Sequence, residues 1–300
     1  MAEVALVHLV RRQNGVAPFK RFLDSMHEHP AGVPFDLVIL FKGFHRDSPE
    51  HDKLLEGIPH RRLFLSDRGY DIDAYFEAAR QLDDARFCFV NSYSRILADG
   101  WLAKLLRWSQ ARGVGLAGAT GSCQSIAGGY SAQDRRLRAL PPVTQFWTRV
   151  GRALRDRRPK ANAERALRLL LRLAGQWSPV RDFPPFPNPH IRTNAFIASR
   201  DVLDRVRPGP LRLKLSAYKF ESGRDSLTAR VRRMGLRVLV VGRDGEAYEP
   251  ERWHLSNTFW QSREENLLVA DNQTEFYLAG DAAKRAELAQ YAWGENARPG

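Results

Sequence analysis

Five short apolar runs, separated by stretches with helical spacing, fill the first 120 residues and restrict the fold more than any other feature of the chain. They are VALVHLV (4–10), FDLVILF (35–41), RRLFLS (61–66), RFCFV (86–90) and VGLAGA (114–119). Their length and near-continuous apolar character are those of strands covered on both faces. Between the first two lies PFKRFLDSMHEH, in which Phe19, Phe22, Leu23 and Met26 recur at i, i+3, i+4 and i+7. Between the third and fourth, DIDAYFEAARQL opens with Asp71 as a helix cap. Strands alternating with helices give βαβ units and a mostly parallel sheet, and such a sheet binds ligands beyond the carboxyl ends of its strands. One of those ends carries VNSYS (90–94), followed by an amphipathic helix predicted to begin near Ala98.

The remainder of the chain divides by composition. From 128 to 189 the pattern changes to basic helices flanked by LPP and DFPPFPNP, and strand and helix signals return from 190 to 300. The segment 131–181 holds thirteen Arg and Lys residues against three acidic ones, which is +10 of the whole chain's +13. The excess charge is therefore local, and it describes a surface that would attract anionic lipid, polyphosphate or nucleic acid without making the whole chain a nucleic-acid binder. In AERALRLLLRLAGQW, Arg165, Arg168 and Arg172 share one face while Ala166, Leu170, Leu173 and Trp177 share another, the pattern of an interfacial helix and equally of a helix packed on its own domain with a solvated basic face.

Cys88 and Cys123 are the two cysteines, with no CxxC pair; they specify neither a disulfide framework nor a zinc ribbon, and a reducing cytoplasm fits. MAEVALVHLVRRQNG has no basic stretch before its apolar run and reads as a first strand rather than a signal peptide, and no run approaches the roughly 18 apolar residues of a membrane span. Of the eight histidines only His27 and His29 stand in HxH spacing and none in HxxxH, too little of a ligand pattern for a zinc enzyme. GATGSCQSIAGG (118–129) matches neither GxxxxGK[ST] nor GxGxxG and reads as a mobile loop after a strand.

The order of these parts resembles a GT-A-type glycosyltransferase of the family 2-like group. VALVHLVRRQNGVAPFKRFLDSM resembles that family's opening strand and helix, DIDAYFEAARQLDDARFCFVNSYS the stretch leading to its DxD element, NPHIRTNAFIASRDVLDRV the acceptor-side strand, and YKFESGRDSLTARVRRMGLRV the segment with the catalytic acid. Bacterial polysaccharide-synthesis proteins of the rhamnan type, with YDIxAY and NDS-like elements, look closer still. The resemblance implies an α/β fold with a GT-A-like, Rossmann-type mixed sheet, mostly parallel and flanked by helices, and a basic helical insertion. Residues 1–127 would form the nucleotide-sugar half, 128–189 the insertion and 190–300 the acceptor-side half of a single domain.

Carried over by position, the family's roles would put Asn14 beside base or ribose and Asp71 or Asp73 on the base or donor sugar, with Asn91, Ser92 and Ser94 at the DxD position. There the chain departs from the family, because Mg²⁺ or Mn²⁺ needs hard carboxylate oxygens. Arg95, Arg192 and Arg224 would neutralise the leaving diphosphate instead, Asn194 would lie on the acceptor side, and His254 would serve as a late metal or phosphate ligand. Glu221, expected in a loop just ahead of a helix capped by Asp225 or Ser226, would remove the acceptor hydroxyl's proton in an inverting reaction; a first-turn acid stabilised by that helix's dipole fits the same position.

The resemblance thus implies a nucleotide-sugar co-substrate, a metal-independent or weakly metal-dependent site, and a glycan or lipid-linked acceptor held at an anionic inner-membrane surface by 131–181. Two other readings stay open: a glycosyltransferase-like scaffold without activity, and a non-catalytic polyanion- or membrane-binding protein.

Overall fold

The computed structural model describes residues 2–44, 48–128, 179–209, 211 and 213–300. Its strands in chain order are β1 (Ala5–Arg11), β2 (Asp36–Lys42), β3 (Arg61–Leu65), β4 (Arg86–Val90), β5 (Arg95–Ile96), β6 (Val114–Gly118), β7 (Gly121–Ser122), β8 (His190–Ile191), β9 (Ala195–Ser199), β10 (Arg237–Val241), β11 (Ala247–Tyr248) and β12 (Val269–Ala270). Eight of them form one sheet in the order β11-β10-β6-β9-β4-β1-β2-β3. Six strands of that sheet run one way, while β9 and β11 oppose them. The fold is α/β, with a mixed and mostly parallel sheet flanked by helices. β9 and β10, from the last third of the chain, lie in the same sheet as β4 and β6.

Both faces of β1 are covered. Ala5, Val7 and Leu9 pack with Ile72, Tyr75 and Ala79 of helix α3 (Asp71–Gln81). Leu6 and Val10 pack on the other face with Phe19 and Phe22 of helix α1 (Ala17–Glu28) and with Trp101 and Leu105 of helix α4 (Trp101–Ser109). Each large apolar side chain so enclosed contributes roughly 1.5–3 kcal/mol, which explains why a run such as VALVHLV has no polar alternation. His8 is the exception within it. Fully buried and stacked on Phe22 at 3.7 Å, its ring has no hydrogen-bond partner, and burial pushes it down to about 3, so it is neutral near pH 7.

Four sequence expectations are corrected. RRLFLS was expected to be buried on both faces, but β3 is the sheet's edge strand, with Phe64 42% exposed. The helix after VNSYS starts at Trp101 rather than near Ala98, because Arg95–Ile96 first pairs with Val269–Ala270 as a short antiparallel ribbon. Asp71 is the first residue of α3 and Tyr70 holds the cap position, with no side-chain capping bond.

The fourth concerns GATGSCQSIAGG, which is a packed crossing and not a mobile loop over 118–122. A Cβ on Gly118 would come within 2.6 Å of Ile191, and one on Gly121 within 2.6 Å of Trp253 and 2.8 Å of Val240. The glycines there let β6 and β7 pass beneath other elements. Gly121→Ala is expected to destabilise the protein by about 1–3 kcal/mol through overpacking, measurable as a lower urea midpoint with unchanged slope. The basic helical insertion, including AERALRLLLRLAGQW, falls almost entirely on 129–178, outside the described residues.

Candidate active site

The carboxyl ends of the parallel strands deliver Arg11, Lys42 and Val90 to one edge, and the start of antiparallel β9 brings Asn194 there. Between β1 and β4 the strand order changes direction, with β2 and β3 on one side and β4 on the other, which makes this the switch point where open α/β sheets bind ligands. Asn14, in the one-turn helix Arg12–Asn14, and Ser92 line a shared crevice there with Arg11 and Gly15. As it stands, that crevice has no room for a water molecule.

At Asn91 and Ser94 the side chains hold the backbone. Asn91 Oδ1 accepts from the Tyr93 N–H at 2.9 Å and from the Ser94 hydroxyl at 3.1 Å, and the Asn91 N–H donates to the Asn194 carbonyl at 2.9 Å. An asparagine turn therefore fixes β4's exit, as this side chain does in many turns. The Ser92 hydroxyl is buried without a partner. A divalent ion asks for anionic oxygens, yet the amide oxygen is committed to the turn and the hydroxyls are neutral. Among the described residues no group of three His, Cys, Asp or Glu side chains is arranged to hold a metal. The residues at this position do not fit Mg²⁺ or Mn²⁺.

Beside the crevice lies a mixed-charge cluster. Arg11 reaches Asp67 at 3.4 Å and Asp71 at 3.6 Å. Lys42 is almost wholly buried, donates Nζ–H to the Gly69 carbonyl at 2.7 Å, and is pushed below the usual lysine range, chiefly by burial and against the attraction of Asp71. The Asp71 carboxyl has two characters: Oδ1 is enclosed with no hydrogen bond, while the side chain as a whole stays 39% exposed. Enclosure raises its pKa first of all, Arg11 and Lys42 pull it back, and Glu221 raises it further. Asp73, in the first turn of α3, lies against the loop before it: a Cβ on Gly69, at φ +70°, would overlap its carboxylate.

Glu221 belongs to this cluster through space. It lies in the last turn of the helix Lys214–Ser222, so both the expected loop and the expected first-turn position are corrected. The following helix, Leu227–Arg233, is capped by Ser226, whose hydroxyl accepts from the Ala229 N–H at 3.3 Å. A carboxylate in a last turn opposes the helix dipole, so helix stability does not explain its presence. The Thr193 hydroxyl donates to Glu221 Oε1 at 2.9 Å, and no cation pairs with it among the described residues. Tyr75 and His190 also feel its charge: Tyr75 is raised well above its ordinary value mainly by burial, and His190 is lowered mainly by burial.

Other positions singled out in the sequence are committed within the fold. Arg192 pairs with Asp271 at 2.8 Å and lies 4.1 Å over the Phe259 ring. The amide oxygen of buried Asn194 accepts from the Thr120 hydroxyl at 2.5 Å. Arg224 donates to the carbonyls of Arg181 and Val180. Arg95 is exposed and reaches Glu275 at 3.5 Å. His254 lies in the one-and-a-half-turn helix Pro250–Leu255, its pKa lowered by burial and by Arg298 of the C-terminal segment.

The sequence reading missed Arg11, Lys42 and Thr193. Arg11 and Lys42 each end an apolar run, and that position on a parallel strand was the available signal; Thr193 had none, since its role depends on where Glu221 lies. The chain matches no family model and no curated protein. Among solved structures it is similar to a mannosyltransferase from Pyrobaculum calidifontis in complex with GDP-Man and Mn²⁺, at 14% identity and TM-score 0.46 over 86% of this chain and 60% of that one. It is also similar to glucosyl-3-phosphoglycerate synthase from Mycobacterium tuberculosis in complex with Mn²⁺, UDP and glucosyl-3-phosphoglycerate, at 13% identity and TM-score 0.37 over 77% of this chain and 63% of that one. The chain thus spans less than two thirds of the length of either.

Proposed function

We propose that the chain is a glycosyltransferase that moves a sugar from a nucleotide-sugar donor to a glycan or lipid-linked acceptor in bacterial surface polysaccharide synthesis, by inversion and without a required metal. The observation that carries this reading is Glu221: a carboxylate with no ion-pair partner among the described residues, fixed by Thr193, electrostatically linked to Asp71 at the sheet's switch point. The order of sequence elements from VALVHLV to YKFESG supports the same reading.

In the proposed reaction, Glu221 takes the proton of the acceptor hydroxyl as that oxygen bonds to the anomeric carbon. The bond from that carbon to the donor's phosphate oxygen breaks, and the nucleotide leaves with the electron pair. Thr193 holds one carboxylate oxygen of Glu221, leaving the other to receive the proton. Arg11 is the guanidinium nearest the crevice and would meet the departing phosphate charge, a task suited to its forked donors. Asn14 and the solvent-open side of the Asp71 carboxyl would contact donor hydroxyls. The +10 charge of 131–181 favours an acceptor presented on an anionic membrane surface; no described helix is long and apolar enough to cross a membrane.

The test is release of free nucleotide from UDP-, GDP-, dTDP- and CMP-sugars, each followed in EDTA and in Mn²⁺. One donor is expected to be consumed at comparable rates in both. Consumption of none would remove the reading, and consumption in Mn²⁺ alone would remove its metal-free form.

A further inference from the structure

A cleft of about 410 Å³, sharing no lining residue with the crevice, opens between the ends of β2 and β3, helix α3 and the chain after the helix Arg200–Val206. It falls within the volume range of small-molecule sites. Its charged lining is Lys42, Arg68, Asp73, Glu77, Arg80 and Arg207, four cations against two carboxylates. The carboxylates are occupied. Arg80 holds Glu77 through both oxygens, at 3.0 and 2.5 Å, and Asp73 Oδ1 accepts from the Leu211 N–H at 3.5 Å.

The cations are less so. Arg68 is exposed and makes no ion pair among the described residues. Arg207 pairs through one nitrogen with Asp204, outside the lining, at 2.8 Å, which leaves most of its five donors free. Two guanidinium groups at one mouth, with a net lining charge of +2, are complementary to an anion that accepts several hydrogen bonds, and a phosphate does so with forked geometry. Lys42, which lines the cleft, is within electrostatic reach of Asp71, and Asp71 of Glu221.

We propose that this cleft binds a phosphate group carried by the acceptor, held by Arg68 and Arg207, with the acceptor's sugar end directed towards Glu221. The word acceptor rests on the glycosyltransferase reading; the phosphate rests on the cleft alone. Two sources of phosphate are open to such a site, the acceptor and the donor's own diphosphate, and the cleft lies apart from the crevice of Asn14 and Ser92 assigned to the donor.

The experiment is calorimetric titration of the whole chain at fixed ionic strength with glucose 1-phosphate, with glucose, and with UDP-glucose and GDP-mannose. It is repeated on Arg68→Ala, Arg207→Ala and the double variant. Both side chains are exposed, so the variants are expected to unfold at the parent temperature. Glucose 1-phosphate is expected to bind and glucose not to. Each substitution should weaken glucose 1-phosphate on the order of tenfold, with the affinity of whichever donor binds unchanged within twofold. Equal binding of glucose, absence of glucose 1-phosphate binding, or unchanged affinity in the double variant overturns the proposal. A parallel loss of donor affinity overturns it by assigning the arginines to the donor's diphosphate. Loss of glucose 1-phosphate binding in the variants of a protein that binds no donor sustains the phosphate site and removes the glycosyltransferase reading instead.

Discussion

Glu221→Gln is expected to lower the rate of sugar transfer by roughly 10²–10⁴-fold while leaving donor affinity within about twofold. The amide keeps the shape of the carboxylate and still accepts from Thr193 through its oxygen, so neither packing nor that 2.9 Å contact is removed. What disappears is the ability to take a proton. The change also removes a negative charge beside Asp71, which should let Asp71 ionise at somewhat lower pH. Thr193→Val, which deletes the hydroxyl that holds Glu221, is expected to reduce the rate by a smaller factor, on the order of tenfold. Rates with saturating donor separate these effects from binding. Full activity in Glu221→Gln would mean the base lies elsewhere, and a loss of donor affinity equal to the loss of rate would make Glu221 a binding residue.

Glu264→Gln is expected to change how stability depends on pH. Glu264 is 4% exposed; Oε1 accepts from the Trp260 N–H at 2.8 Å and Oε2 is buried without a partner. Burial pushes the carboxyl up to about 8, with the charge of Arg192 and the Trp260 bond opposing and those of Asp271 and Glu265 assisting. Below the unfolded value near 4.5 the group is protonated in both states and costs nothing. As pH rises from there to about 8 the unfolded chain has lost its proton and the folded one has not, so stability falls across that window and the full penalty persists above it. Gln carries no such penalty. The variant should therefore match the parent near pH 4 and exceed it by a few kcal/mol above pH 8, as read from urea unfolding at both pH values. A constant difference between the two proteins would show that the carboxyl titrates normally.

That carboxyl sits in a loop where Asn257, Trp260, Ser262 and Glu264 all have positive φ between 46° and 54°, an arrangement that costs free energy at each non-glycine residue. The loop is held by Gln261, whose amide donates to the carbonyls of His254 and Asn296, and by Tyr277, whose hydroxyl donates to the Ser262 carbonyl. Its far side supports Phe259 beneath Arg192. None of this was legible in WHLSNTFWQSREENLLVADNQT, where the aromatics signalled burial and nothing signalled backbone conformation.

Where the sequence succeeded, one physical rule was sufficient. VALVHLV, FDLVILF, RFCFV and VGLAGA are strands because burial on both faces leaves no place for polar alternation. The same rule overreached at RRLFLS, since an apolar run does not reveal whether a neighbour covers its outer edge. It was silent on direction: AFIAS reads as a strand, yet only pairing shows that β9 lies antiparallel between β4 and β6. That insertion brings Thr193 and Asn194 to the carboxyl edge, so the site's second half depended on topology. Glu221 was singled out by its place in the chain and its local structure was misread, because KLSAYKFES has weak helical amphipathicity. Arg192 and Arg224 were singled out for charge and for their places near predicted strand ends, neither of which distinguishes an arginine awaiting a ligand from one already bonded within the fold.

The most direct test of the central claim is thermal unfolding of the chain against UDP-, GDP-, dTDP- and CMP-sugars, each with Mn²⁺ and with EDTA. Binding to the folded state raises the unfolding temperature by linkage, on the order of a few degrees at a hundredfold excess over Kd. One donor class is expected to raise it equally in Mn²⁺ and in EDTA, and Asp71→Asn is expected to reduce that rise. A curve that no nucleotide sugar moves under either condition would contradict a donor site at the carboxyl edge of the sheet.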